Sequence, residues 1–167
     1  MLAGFSLKLL NHQFSVVVDI QDDSPVIIRS GFGGLTELGK GIATPIKRFG
    51  SNNLVKNALT AYQDRDFELV QLLKSQQHGS DFATRVWRGI SQIKPGKTIS
   101  YAQLANRIGR PEAYRAVGTA CGRNNLPIFV PCHRVLPSSG EVGNYAYGSA
   151  VKELLLRHES DKPHIRR

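Results

Sequence analysis

The sequence predicts an α/β first half followed by a mostly α second half that carries a helix-turn-helix. Three observations support this: two strand-like runs around a turn near residue 23, helical spacing of apolar residues in both halves, and two short helical patterns around Gly109-Arg110-Pro111. Phe14-Ser15-Val16-Val17-Val18-Asp19-Ile20 and Val26-Ile27-Ile28 are rich in β-branched residues and flank the turn-forming Asp22-Asp23-Ser24-Pro25. Gly31-Phe32-Gly33-Gly34 then interrupts the pattern as a turn or loop. From Asn52 to Tyr62, the residues Leu54, Val55, Ala58, Leu59 and Tyr62 recur at helical spacing and predict a core-facing helix. The polar stretch Lys74 to Ser80, with Gly79 near its end, is the expected boundary, dividing residues 1–78 from 79–167.

Beyond it, Ser80 or Asp81 caps a helix through Phe82, Val86, Trp87 and Ile90, closed by the turn Lys94-Pro95-Gly96-Lys97. Ser100 caps the next helix, through Tyr101, Leu104, Ala105 and Ile108. After the break at Gly109-Arg110-Pro111, a second helix is expected from about Glu112 to Cys121. Its inner face carries Ala113, Ala116, Val117 and Ala120, with Gly122 as terminator. Tyr114, Arg115 and Thr119 are left as candidates for a binding face. Two short helices around a Gly-containing turn fit a helix-turn-helix.

With 167 residues, 41% apolar and 21% charged, the chain has the balance of a soluble globular protein. No apolar run approaches the ~18 residues that span a bilayer. The first residues, Met1 to Leu7, lack a basic leader and make a poor secretory signal, so a cytoplasmic location is expected, or a nuclear one in a eukaryote. Cys121 and Cys132 form no CxxC or Cys/His cluster, so a zinc site is not expected. A reducing compartment disfavours a disulfide between them. His12 and His78 are isolated and read as ordinary surface or core residues. The net charge of +9 is uneven: residues 1–80 hold 8 Lys/Arg against 7 Asp/Glu, and residues 81–167 hold 14 against 6. A basic second half suits a polyanionic partner.

The run Ile128-Phe129-Val130 reads as a buried extended segment that stops at Pro131, placing Cys132 where the chain turns. A thiol becomes a strong nucleophile when a nearby imidazole or positive charge favours its thiolate. His133 can supply the base, directly or through water, and Glu159 is the best carboxylate to orient it. On the residues alone, a core thiol beside a structural histidine remains an equal alternative. On charge alone, a solvated basic face is an equal alternative to a DNA-binding one, and the helix-turn-helix pattern favours the latter.

Val130-Pro131-Cys132-His133-Arg134-Val135 resembles the acceptor motif of the methylated-DNA–protein-cysteine methyltransferases, also called O6-alkylguanine-DNA alkyltransferases. Thr98 to Ala105 resembles the first helix of that family's helix-turn-helix, and Arg115-Ala116-Val117-Gly118-Thr119-Ala120 its recognition helix. Val142-Gly143-Asn144-Tyr145 and Lys152 to Glu159 match the segment after the cysteine. The resemblance covers about residues 80 to 160. It implies an N-terminal α/β domain with a small antiparallel sheet and a C-terminal domain with a winged-helix-like helix-turn-helix. It also implies DNA repair by stoichiometric, irreversible transfer of an alkyl group from O6-alkylguanine to Cys132. The main substrate would be O6-methylguanine, with O4-methylthymine as a secondary candidate, and no cofactor is required.

The same resemblance implies residue roles. His133 would deprotonate Cys132 through water, Glu159 would hold the histidine, Asn125 would support the network, and Tyr145 would help neutralise the departing guanine. Tyr101 would sit against the target phosphate, and Arg115 would enter the duplex where the base has left. Ala116, Gly118, Thr119 and Arg123 would complete a minor-groove DNA face. Pro127, Val135, Tyr145, Ala146 and Tyr147 would form the base pocket. The expected partner is double-stranded DNA with a flipped base. A monomer that can assemble cooperatively on DNA is expected, with no membrane contact. Leu126 stands where relatives often have proline, and Tyr147 is bulky for the pocket mouth. Cys121 is a packing residue in this scheme. Three rivals stand behind it: a lesion-binding protein that transfers nothing, a helix-turn-helix regulator and a cysteine hydrolase.

Overall fold

β-Branched alternation and two tight turns build the first sheet. In the computed structural model, which describes residues 1–50 and 53–160, strands β1 (Leu2–Leu9), β2 (His12–Gln21) and β3 (Ser24–Phe32) pair antiparallel. A two-residue β4 (Lys47–Arg48) joins β1 in parallel, giving the order β3-β2-β1-β4. Both hairpin turns have two residues at positive φ, Leu10 (49°) and Asn11 (65°), then Asp22 (47°) and Asp23 (61°). That geometry matches the strand twist, and Asn and Asp tolerate it. The expected runs at 14–20 and 26–28 fall inside β2 and β3. Ser24-Pro25 and Gly31-Phe32 also belong to β3, so the chain breaks only at Gly33.

Strand β1 has no counterpart in the sequence reading. Gly4 in its middle weakens the pattern, yet a Cβ there would lie 2.8 Å from Leu35 Cδ1 of the short helix α1 (Leu35–Leu38). Helix α2 (Leu54–Gln63) buries Val55, Ala58, Leu59 and Tyr62, and Asn53 caps it by accepting the Lys56 N–H at 2.7 Å. The expected start at Asn52 lies outside the described residues. α3 (Glu68–Leu72) is too short to show a period.

The chain divides into two units, but not by a single cut at 78/79. One unit is Met1–Gln77 together with Asn125–Phe129; the other is His78–Asn124 and the chain from Val130 onward. Segment 125–129 joins the first unit through Ser30. The Ser30 N–H donates to the Asn125 carbonyl at 2.9 Å, and its hydroxyl donates to the Pro127 carbonyl at 3.0 Å. The Asn125 N–H donates to Gln77 Oε1 at 2.9 Å.

In the second unit, α4 (Asp81–Ser91) is capped by Ser80, which accepts the Ala83 N–H, and buries Ala83, Val86, Trp87 and Ile90. β5 (Ile99–Ser100) leads into α5 (Tyr101–Arg107), whose start is fixed by a reciprocal capping box between Ser100 and Gln103. α6 (Tyr114–Gly122) begins later than the expected Glu112, because Pro111-Glu112 form a turn in which the Ala113 N–H bonds the Arg110 carbonyl. Gly122 is its last helical residue rather than its terminator. α6 packs on α4 and α5, and Trp87 Nε1 donates to the Ala120 carbonyl at 2.9 Å. β6 (Val135–Leu136) pairs parallel with β5, and α7 (Ser149–Glu159) follows. The basic tail Lys162 to Arg167 lies outside the described residues. Among the described residues no helix is long and apolar enough to cross a membrane.

Candidate active site around Cys132

The expected extended run before the cysteine is not a strand. Ile128 has a φ of 74°, and the Val130 carbonyl bonds locally, accepting the Cys132 N–H at 2.8 Å and Asn124 Nδ2 at 2.7 Å. After Pro131, Cys132–Arg134 form one 3₁₀ turn, and all three side chains are buried. β6 fixes the chain beyond the turn. α7 supplies the other side: Lys152, Leu155 and Glu159 share its buried stripe at i, i+3 and i+7.

Glu159 gathers the turn. Its Oε1 meets His133 Nε2 at 2.8 Å and Arg134 Nη2 at 2.8 Å, while its Oε2 accepts Arg134 Nε at 2.9 Å. Arg134 Nη1 is closed by the Ile93 carbonyl at 2.6 Å. Burial opposes ionisation of Glu159, but His133 and the guanidinium outweigh it and hold the carboxyl well below the usual range. Burial pushes His133 down, so the imidazole is neutral. Facing an ionised carboxylate, its Nε2 carries the hydrogen and donates, which leaves Nδ1 as an acceptor. Nδ1 is buried and has no protein partner among the described residues, and the buried hydroxyl of Tyr145 is in the same condition. Two orphaned polar atoms beside a buried thiol mark a place for water or substrate.

Burial raises the Cys132 thiol. A hydrogen bond from Asn124, the charge of Lys152 and local backbone N–H groups act the other way. The asparagine that bonds the Cys132 thiol is therefore Asn124, not the expected Asn125, whose backbone bonds lie in the first unit. Pro127 is also in that unit. Two residues outside the expected set belong to the site. Arg134 lies inside the acceptor motif and could have been suspected from it. Lys152 is 1% exposed, donates to the Val135 carbonyl at 2.9 Å and the Asn144 carbonyl at 3.4 Å, and sits 5.9 Å from the Tyr101 ring centroid. Burial raises both Tyr101 and Cys121 to about 12, with Cys132 contributing to each. A thiol at that value is inert at neutral pH, in keeping with a packing role for Cys121.

Of the residues expected around the base, Val135, Tyr145, Ala146 and Tyr147 lie in the second unit. The Val135 N–H bonds the Cys132 carbonyl, and its carbonyl, held by Lys152, keeps one lone pair. Tyr145 and Tyr147 pack edge to face with centroids 5.6 Å apart, and Ala146 between them is exposed. Burial raises both tyrosines, Tyr145 well above its ordinary value, so each keeps its proton. On α6, Arg115, Ala116, Thr119 and, at its cap, Arg123 are exposed, while Gly118 is half-buried against the Tyr101 ring. The Thr119 hydroxyl donates back to the Arg115 carbonyl at 3.3 Å. Among the described residues no group of three His, Cys, Asp or Glu side chains could hold a metal ion.

Comparison with known proteins bears on this arrangement. Residues 81–161 match the family model described as the 6-O-methylguanine DNA methyltransferase DNA binding domain. A methylated-DNA–protein-cysteine methyltransferase of Methanosarcina mazei is 40% identical over 107 residues, 64% of this chain and 67% of that protein. The bifunctional transcriptional activator and DNA repair enzyme Ada of Escherichia coli is also 40% identical over 107 residues, but the match spans only 30% of its length. A Mycobacterium tuberculosis OGT crystallised with DNA superimposes with a TM-score of 0.77 at 29% identity, over 94% of this chain and 92% of that one. The buried acceptor turn, the fold and these matches agree, and the chain belongs to the methylated-DNA–protein-cysteine methyltransferase family.

Proposed function

We propose that the protein repairs DNA by direct reversal, taking the alkyl group of O6-alkylguanine onto Cys132. The observation that carries this is the buried thiol beside a neutral His133 whose Nε2 is fixed on Glu159 and whose Nδ1 is unpaired. The thiol proton passes through a bridging water to Nδ1. Cys132 Sγ then bonds the alkyl carbon as the carbon–O6 bond breaks, and the electron pair leaves with the guanine. Tyr145, kept protonated by burial, donates its hydrogen bond to the departing base. The Arg134–Glu159 pair lets His133 accept a proton next to a carboxylate that is already ionised. The thioether has no internal route back to thiol, so each molecule acts once.

The alkylated carbon is inaccessible in stacked DNA, so the base must be flipped out, at a cost of a few kcal/mol. The exposed residues of α6 form the DNA face of this reading, with Arg115 filling the vacancy and Tyr101 near the target phosphate. A minor-groove approach suits a protein that acts at any sequence, since that groove carries little base information.

Intact-protein mass spectrometry after incubation with duplex DNA containing one O6-methylguanine tests the proposal. One methyl increment, mapped to Cys132, saturating at one per molecule and absent in Cys132→Ala, is expected. Binding without any increment would favour a lesion sensor instead. A second expectation concerns adduct size. Tyr147 packs on Tyr145 at the edge of the site, so Tyr147→Gly should accelerate reaction with O6-benzylguanine several-fold more than with O6-methylguanine. Equal rates on O6-benzylguanine for parent and variant would remove Tyr147 from the pocket.

A further inference from the structure

We propose that Tyr114 and Arg115 together form a two-plane stacking element for an unstacked base step, with Tyr114 covering the base next to the vacancy that Arg115 fills. This rests on the alkyl-transfer reading and gives a definite role to a residue that the sequence offered only as a candidate for the binding face. Tyr114 is 47% exposed, a large ring that the core of the second unit does not use. Arg115, Thr119 and Gly122 form one exposed line along α6, and beside it the exposed Tyr114 stands one turn before the half-buried Gly118. A Cβ at Gly118 would lie 4.0 Å from the Tyr101 ring. Tyr114 therefore stands one helical turn from the contact with Tyr101.

The pair is already organised. The Arg115 guanidinium lies over the Tyr114 ring, 5.9 Å from its centroid, which gathers the two planar groups at the start of α6. No acidic residue occupies the first turn of that helix to repel phosphate. Extracting one base from a duplex uncovers two base faces, one on each side of the gap. A single guanidinium covers one well, and an aromatic ring is the other common stacking surface for a base.

The test compares parent, Tyr114→Ala and Tyr114→Phe for transfer from O6-methylguanine in duplex DNA and from free O6-benzylguanine. The preference for duplex over free base should fall about tenfold in Tyr114→Ala and stay within twofold of the parent in Tyr114→Phe, since stacking needs the ring and not the hydroxyl. The salt dependence should be unchanged in Tyr114→Ala and shallower in Arg115→Ala, because only the second removes a charge. An unaltered preference in Tyr114→Ala, equal losses in the Ala and Phe variants, or equal losses on both substrates would each overturn the proposal. If the parent alkylates itself with neither substrate, the transfer reading has failed first, and the control shows it.

Discussion

Glu159→Gln is expected to destabilise the protein by about 3–5 kcal/mol at neutral pH and to slow transfer sharply. Glutamine can still accept a hydrogen bond from His133, but it leaves the guanidinium of Arg134 buried without its counter-charge, and breaking a buried pair on one side costs that much. Arg134 is 2% exposed and Glu159 2% exposed, so water cannot replace the lost partner. The pH dependence gives the sign. The folded-state pKa of Glu159 is depressed, so its stabilisation is fully present above the unfolded value, near 4.3, and is lost as pH falls through the folded value. Urea unfolding should show the parent losing up to about 1.4 kcal/mol per pH unit below pH ~4 relative to the variant, so that the two converge in acid. A gap that stays constant from pH 7 to pH 3 would mean that the native carboxyl is not held ionised.

How much of this was legible in sequence depends on range. The hairpin at Asp22-Asp23, the cap at Ser80 and the capping box at Ser100 are local, and their residue types announce them. Cys132 and His133 were legible as neighbours in one motif, and Glu159 because α7 places it at the end of an apolar stripe. Asn124 and Asn125 were not separable, because adjacent identical residues differ only in where the chain turns, and that turn depends on the positive φ of Ile128. The return of residues 125–129 to the first unit rests on hydrogen bonds from Ser30, 95 to 97 positions away, which leave no periodic trace. Strand β1 was hidden by Gly4, required by a neighbour that only the fold reveals. Lys152 carries a signal of its own: helix spacing puts it on the same stripe as Leu155 and Glu159, and a cation on a buried stripe needs a reason.

That reason leads to Lys152→Met, for which stability and activity should part company. The ammonium is buried, and no carboxylate pairs with it among the described residues; burial pushes its pKa down. Desolvating such a charge costs several kcal/mol. The bonds to the Val135 and Asn144 carbonyls return about 1.5–3 kcal/mol apiece at best, and the second is long at 3.4 Å. Methionine fills the same channel without a charge, so the stability at pH 7 should change by only about 1 kcal/mol, in either direction. The parent should also gain stability with rising pH between the lowered folded pKa and about 10.4, because there the unfolded chain binds more protons; the variant should lack this rise. Transfer should nevertheless fall by at least about tenfold. Lys152 is a positioning residue: it ties the chain after the acceptor turn to Asn144, the neighbour of Tyr145, and its charge is among the influences that favour the Cys132 thiolate. Removing the charge raises the thiol further, so the pH profile of Cys132 alkylation by iodoacetamide should move to higher pH. A large stability loss with an unmoved alkylation profile would reduce Lys152 to a structural strut, whereas a preserved fold with an alkaline shift would place it in the chemistry of the acceptor.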